Sequence, residues 1–193
     1  MQNRDDLNPA AISAAVVSKS AGLAEVARAA GVFTARCHDK DGNLKWEDTF
    51  DNVVTTVGGN DMLDKYLAGS AYTAAFYLGL ISSVGYTGAP VIGDTAASHA
   101  TWTEAGATNN PTYSQGARPT AAWSAASAKS KALSSALAYT ITGAGGTIKG
   151  SFLSTVATKD STTGVLFSAG LFSGGDKVVT AGDTVSVSYS LGI

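Results

Sequence analysis

From Val32 onward the apolar and polar positions alternate. "VFTARCH" puts Phe33, Ala35 and Cys37 on one face of an extended chain and Thr34, Arg36 and His38 on the other. After "DKDGN", "LKWEDTF" resumes with Leu44 and Trp46 on one side and Lys45 and Glu47 on the other. Alternation on both sides of an Asp-Gly turn predicts a hairpin. "NVVTTVGG" is a further short β-branched run. "NDMLDKYLAG" predicts a brief helix near residues 60–68, capped by Asn60 and stopped by Gly69, with Met62, Leu63, Tyr66 and Leu67 as its apolar stripe. "YTAAFYLGLIS" is almost continuously apolar, as expected of a central strand covered on both faces.

Residues 83–120 are rich in Gly, Pro, Asn and Thr, and read as an extended loop with short strand pieces. The last third is more regular: "ALAYTIT", "GTIKGSFLST", "GVLFSAGLF" and "DTVSVSYSL" are strands separated by "GAGG", "TKDSTT", "SGGDK" and "AGD". The "GAGG" cluster reads as a hairpin tip. It is followed by a strand and not by a helix, so it lacks the helix N-terminus that would hold a phosphate. The pattern predicts a mainly β fold: an antiparallel β-sandwich, jelly-roll or Ig-like, over residues 32–193, with one short helix.

Residues 1–31 behave differently and form an N-terminal, partly helical arm. Asn8 suits a cap, Pro9 the first helical position and Gly31 the stop. Ile12, Val16, Leu23 and Val26 fall near one face, but Ser18, Ser20 and Gly22 interrupt the run, so two shorter pieces fit equally well. The stripe is too thin to hold a free helix and too apolar to leave in water. These four side chains are expected to contact another subunit. The short, Ala-diluted apolar run after Asp5 and Asp6 does not match a secretory leader, so the segment reads as mature protein.

Composition narrows the function classes. A net charge of −2 offers no basic face for nucleic acid. No apolar run approaches the ~20 residues of a membrane span. One cysteine excludes an internal disulfide framework. "HDKDGN" suggests a calcium loop, with Asp39, Asp41 and Asn43 at the first three ligand positions. Leu44 then stands where the loop needs glycine and Phe50 where it needs glutamate. The segment reads as a turn, with no metal and no cofactor expected. Cys37 and His38, as strand neighbours, point to opposite faces and form no nucleophile–base pair. No nucleophile elbow, Walker loop, zincin or dinucleotide motif is present, so no catalytic residue is assigned. Trp102, Tyr113 and Trp123 lie in or beside the long loop. They are the candidates for ligand or partner contact, against the simpler reading that they plug the end of the sandwich.

In order and content, "DKDGNLKWEDTFDNVVTTVGGNDMLDKYLAGSAYTAAFYLGLI" and "GSFLSTVATKDSTTGVLFSAGLFSGGDKVVTAGDTVSVSYSL" resemble a group of small tailed-bacteriophage virion structural proteins. The likeness runs from about Val32 to the C-terminus and rests on motifs of fold, not of catalysis. It implies a non-enzymatic, homo-oligomeric virion component, assembled in the host cytoplasm. Its partners would be the major capsid protein or other virion proteins, and its role capsid decoration. The alternative is a tail-associated fibre or adhesin module that binds host-surface carbohydrate through the 83–120 loop.

Overall fold

The structure is a computed structural model that describes residues 29–67 and 75–193. The stripe Ile12, Val16, Leu23 and Val26 lies outside the described residues. The fold is mainly β: two antiparallel sheets packed as a sandwich, with one helix among the described residues. The strands in chain order are β1 (Ala30–His38), β2 (Leu44–Asp51), β3 (Val53–Val54), β4 (Phe76–Ser82), β5 (Thr103–Ala105), β6 (Thr112–Tyr113) and β7 (Thr120–Ala121). They continue as β8 (Ser130–Ala132), β9 (Leu137–Thr142), β10 (Gly146–Ser154), β11 (Leu166–Leu171), β12 (Lys177–Val179) and β13 (Thr184–Gly192); the helix is α1 (Thr56–Leu67). One sheet runs β2-β1-β13-β9-β6, with β8 also on β13. The other runs β3-β11-β10-β4-β5, with β12 on β10 and β7 on β4.

The predicted hairpin is present as β1 and β2, in register from Val32↔Asp51 to Cys37↔Trp46, with a bulge before His38. Its tip is an Asx turn. Asp39 Oδ1 accepts from the amides of Asp41 at 2.9 Å and Asn43 at 2.8 Å, and Asp39 Oδ2 accepts from Asn43 Nδ2 at 3.0 Å. Gly42 supplies the positive φ of 86° that the turn requires. Both carboxylate oxygens thus accept from the loop itself.

Phe33, Ala35 and Cys37 of β1, Val185, Val187 and Tyr189 of β13 and Tyr139 and Ile141 of β9 face the second sheet. There they meet Leu78, Leu80, Ile148, Leu153 and Phe167. The Tyr139 hydroxyl crosses between the sheets and donates to the Leu78 carbonyl at 2.7 Å. The other face of the first sheet stays polar. Its side chains include the paired hydroxyls of Thr34 and Thr49 at 3.1 Å and the exposed Arg36–Glu47 ion pair at 2.8 Å.

The second sheet is covered twice. Ile81, Phe152, Leu166 and Ala169 point away from the first sheet and pack beneath Trp102 and Ala96 from the 83–120 segment, with Tyr86 and Leu171 beside them. This outer layer is why β4 is buried without alternation from Leu78 to Ser82. The long segment is mostly irregular but contributes β5, β6 and β7 as edge pieces.

Four local expectations are corrected. The helix begins at Thr56, four residues before the expected Asn60 cap, because the Thr55 hydroxyl accepts the Gly58 amide at 3.0 Å and serves as N-cap. Only Val53–Val54 of "NVVTTVGG" is therefore extended. The helix does not bury Leu63, Tyr66 and Leu67 either. It lies on β11 through Gly58, where a Cβ would come within 2.4 Å of the Phe167 carbonyl oxygen, and this close approach turns the other face outward. Finally, "GAGG" is not a hairpin tip. It carries the chain from β9 in one sheet to β10 in the other, and those two strands do not pair.

Gly31, expected to stop a helix, lies within β1 opposite Leu191.

Candidate functional site

Glu104 and Arg118 are isolated charges in a polar, glycine-rich segment, and nothing in their spacing announces a pair. β5 places Glu104 opposite Ile81 of β4, on the outer face of the second sheet. There its carboxylate meets the Arg118 guanidinium in a two-pronged contact, Nε to Oε1 at 2.8 Å and Nη2 to Oε2 at 2.7 Å. Arg118 also donates to the Val156 carbonyl at 2.8 Å and lies 5.0 Å from the Phe152 ring centre. The Asp160 amide completes Glu104 at 2.6 Å. Both side chains are buried. Planar, bidentate geometry with further hydrogen bonds is what a desolvated pair needs. It ties the 83–120 segment to the β10–β11 connection.

A cavity of about 180 Å³ lies against this pair, lined among others by His99, Trp102, Asn109, Asp160, Ser161 and Thr162. Much of its polar wall is already engaged. Trp102 Nε1 donates to Asp94 at 2.8 Å, His99 Nδ1 lies 2.9 Å from the Trp102 carbonyl, and Asn109 Nδ2 donates to the Glu104 carbonyl at 3.1 Å. The His99 ring stacks on Trp102 with centres 4.1 Å apart. Glu104, neutralised by Arg118, is held as a structural carboxylate. Among the described residues no cluster of three or more His, Cys, Asp or Glu side chains could hold a metal ion.

The sequence-derived candidates separate. Trp102 and Tyr113 are buried. Tyr113 packs edge-on against Tyr139 in the core, and Lys159 Nζ sits 3.6 Å above its ring. Burial raises the Tyr113 phenol and lowers the Lys159 ammonium. Trp123 is half-buried at the border of the inner core, edge-on to Phe76 and Tyr189 with ring centres 6.1 Å away in each case. The three aromatics therefore do not form one surface. Cys37 is fully buried; burial, with Asp183 nearby, pushes its thiol up to about 12.

Trp123 instead borders an apolar groove of about 390 Å³. Leu153 and Phe167 lie at its base, Met62 and Tyr66 of α1 line one side, Trp123 and Leu191 line the other, and Phe76 also lines it. Asp61, Lys65 and Lys131 contribute polar groups. Neither Phe76 nor Leu191 stood out in the sequence, because each belongs to a strand pattern that a core also explains. Further exposed apolar side chains lie along α1: Leu63 is 52% exposed, Tyr66 86% and Leu67 73%. Ile92, also exposed, sits at the helix start, where its carbonyl accepts the Thr56 amide at 2.9 Å.

No helix among the described residues is long and apolar enough to cross a membrane. No protein-family model and no curated protein matches the chain.

Proposed function

We propose that this protein is a non-enzymatic structural component of a tailed-bacteriophage virion that decorates or cements the capsid surface. The β-domain docks on the major capsid protein or another virion protein, and the N-terminal arm adds a second attachment. One observation carries the reading: exposed apolar side chains gather along α1, with Ile92, Leu63 and Leu67 outward, while the outer face of the first sheet remains polar. Concentrated apolar surface of this kind marks a contact surface for another macromolecule. A modest contact per copy is sufficient when many copies sit on a lattice.

The test is pelleting with undecorated capsids. Leu63→Asp combined with Leu67→Asp should abolish co-sedimentation while leaving the melting temperature within about 2 °C, because both side chains are already exposed. Unchanged co-sedimentation would exclude α1 as the docking surface.

The second reading, a tail-associated module that binds host carbohydrate, draws on the cavity beside Trp102 and His99. It is weakened because Trp102 and Tyr113 are covered and offer no open face for a sugar to stack on. Copy number per particle separates the two: hundreds for decoration, a dozen or two at most for a tail component.

A further inference from the structure

The groove between α1 and the β8–β13 edge is apolar at its base and open. It lies beside the point where the chain enters the described fold. Gly31 is paired with Leu191, and Leu191 is itself a groove wall. Leu191 also pairs with Lys131 of β8, another groove residue. The polypeptide preceding Ala29 therefore starts at the rim. At ~3.3–3.6 Å per extended residue, Val26 lies within about 10 Å of Ala29 and Leu23 within about 20 Å.

We infer that residues 23–28 of the same chain occupy this groove, with Leu23 and Val26 as the apolar contacts. Their spacing of three puts both on one face of a helical turn. Glu25, between them, carries the charge opposite to Lys131 at the rim. Attachment at the rim gives this segment a high effective concentration that a second copy in dilute solution does not have. The competing internal segment, residues 68–74, offers only Tyr72 as a large apolar side chain. The arm thereby divides at Ser18–Gly22. Its C-terminal piece completes the protein's own domain, and Ile12 and Val16 remain for the attachment proposed above. This division does not depend on what the protein attaches to.

Cross-linking in the full-length chain tests the inference. Leu23→Cys and Lys131→Cys are combined and treated with a short bis-maleimide; buried Cys37, with its thiol held protonated, stays silent. The expected product is a cross-link at monomer size on a denaturing gel, absent from either single-cysteine variant. A dimer-sized product, or none, overturns the inference. As a second measurement, Leu23→Asp with Val26→Asp should lower the melting temperature by about 4–10 °C and shift Trp123 emission to the red, while Ile12→Asp with Val16→Asp should do neither. Equal melting temperatures for the two double variants would also overturn it. Because both readouts use the isolated protein, they can fail while capsid binding succeeds, or the reverse.

Discussion

The two sheets of this sandwich solve burial differently. The β2-β1-β13-β9-β6 sheet is buried on one face, so its strands alternate: Phe33, Ala35 and Cys37 inside, Thr34 and Arg36 outside. The β3-β11-β10-β4-β5 sheet is buried on both, by the first sheet and by the 83–120 segment, so Leu78–Ser82 is buried without interruption. The outer layer is held by groups that would be costly in isolation: a desolvated ion pair and a Trp indole hydrogen-bonded to Asp94. One-sided burial tolerates a polar, exchangeable surface. Two-sided burial makes each side chain beneath the loop a core residue, whatever its chemistry.

That contrast predicts a ranking of substitutions. The largest effect belongs to Arg118→Ala, which leaves the Glu104 carboxylate buried without its partner. A loss of about 3–5 kcal/mol is expected, read as a fall in the chemical denaturation midpoint. A loss below 1 kcal/mol would mean that water reaches the outer layer and that the two-core description is wrong.

Next comes Gly79→Ala. A Cβ on the outer face of β4 would meet the Phe152 ring at 2.2 Å, and overpacking of this kind costs about 1–3 kcal/mol. The matched change on the one-sided sheet, Thr34→Val, should be close to neutral in the same denaturation experiment.

Acid titration gives a smaller and graded effect. Asp48 is opposed by desolvation, but Ser173 Oγ at 2.5 Å, Lys177 Nζ at 2.9 Å and the Gly174 amide at 2.8 Å together hold its carboxyl below the ordinary aspartate value of 3.8. Asp183 is likewise opposed by burial, yet is held low by Lys45 at 2.5 Å and by Thr180, whose amide donates at 2.8 Å. Carboxylates with depressed folded pKa values contribute stability that is complete above the unfolded value and is lost as pH falls through the folded one. Melting temperature should therefore fall as pH drops below about 4. The fall should be shallower in a variant carrying Asp48→Asn and Asp183→Asn, which is less stable at neutral pH.

The smallest effect belongs to the exposed face. Arg36 and Glu47 pair at 2.8 Å with side chains 57% and 41% exposed, so Glu47→Ala should leave the melting temperature unchanged within error at physiological salt. A clear drop would show that the outer face of the first sheet is not the solvated surface described.

Legibility followed the same division. The β1–β2 hairpin, its turn and the four late strands were readable because alternation and turn residues are local signals, set by the two-residue repeat of a strand. The continuous run at β4 was readable as doubly covered, though nothing local said by what. The helix start was missed because Thr55 and Asn60 are both acceptable caps, and the choice fell to packing of Gly58 against the Phe167 backbone. "GAGG" was misread because a glycine turn looks the same whether it joins two paired strands or crosses between sheets.

The candidate site was less legible than the fold. Trp102, Tyr113 and Trp123 are near in sequence, yet the tertiary structure sends the first to the outer core, the second to the inner core and the third to the α1 groove. Glu104 and Arg118 are fourteen residues apart in an irregular segment and meet only because β5 pairs with β4 and the chain then returns over Phe152. Local patterning was enough to establish a mainly β sandwich with alternating strands, since a side chain's face in a strand depends on its immediate neighbours. Which side chains meet across the sheets, which charges lose their water and which apolar surface is left open were settled by long-range packing. Those outcomes depend on elements distant in sequence, and no local window contains them.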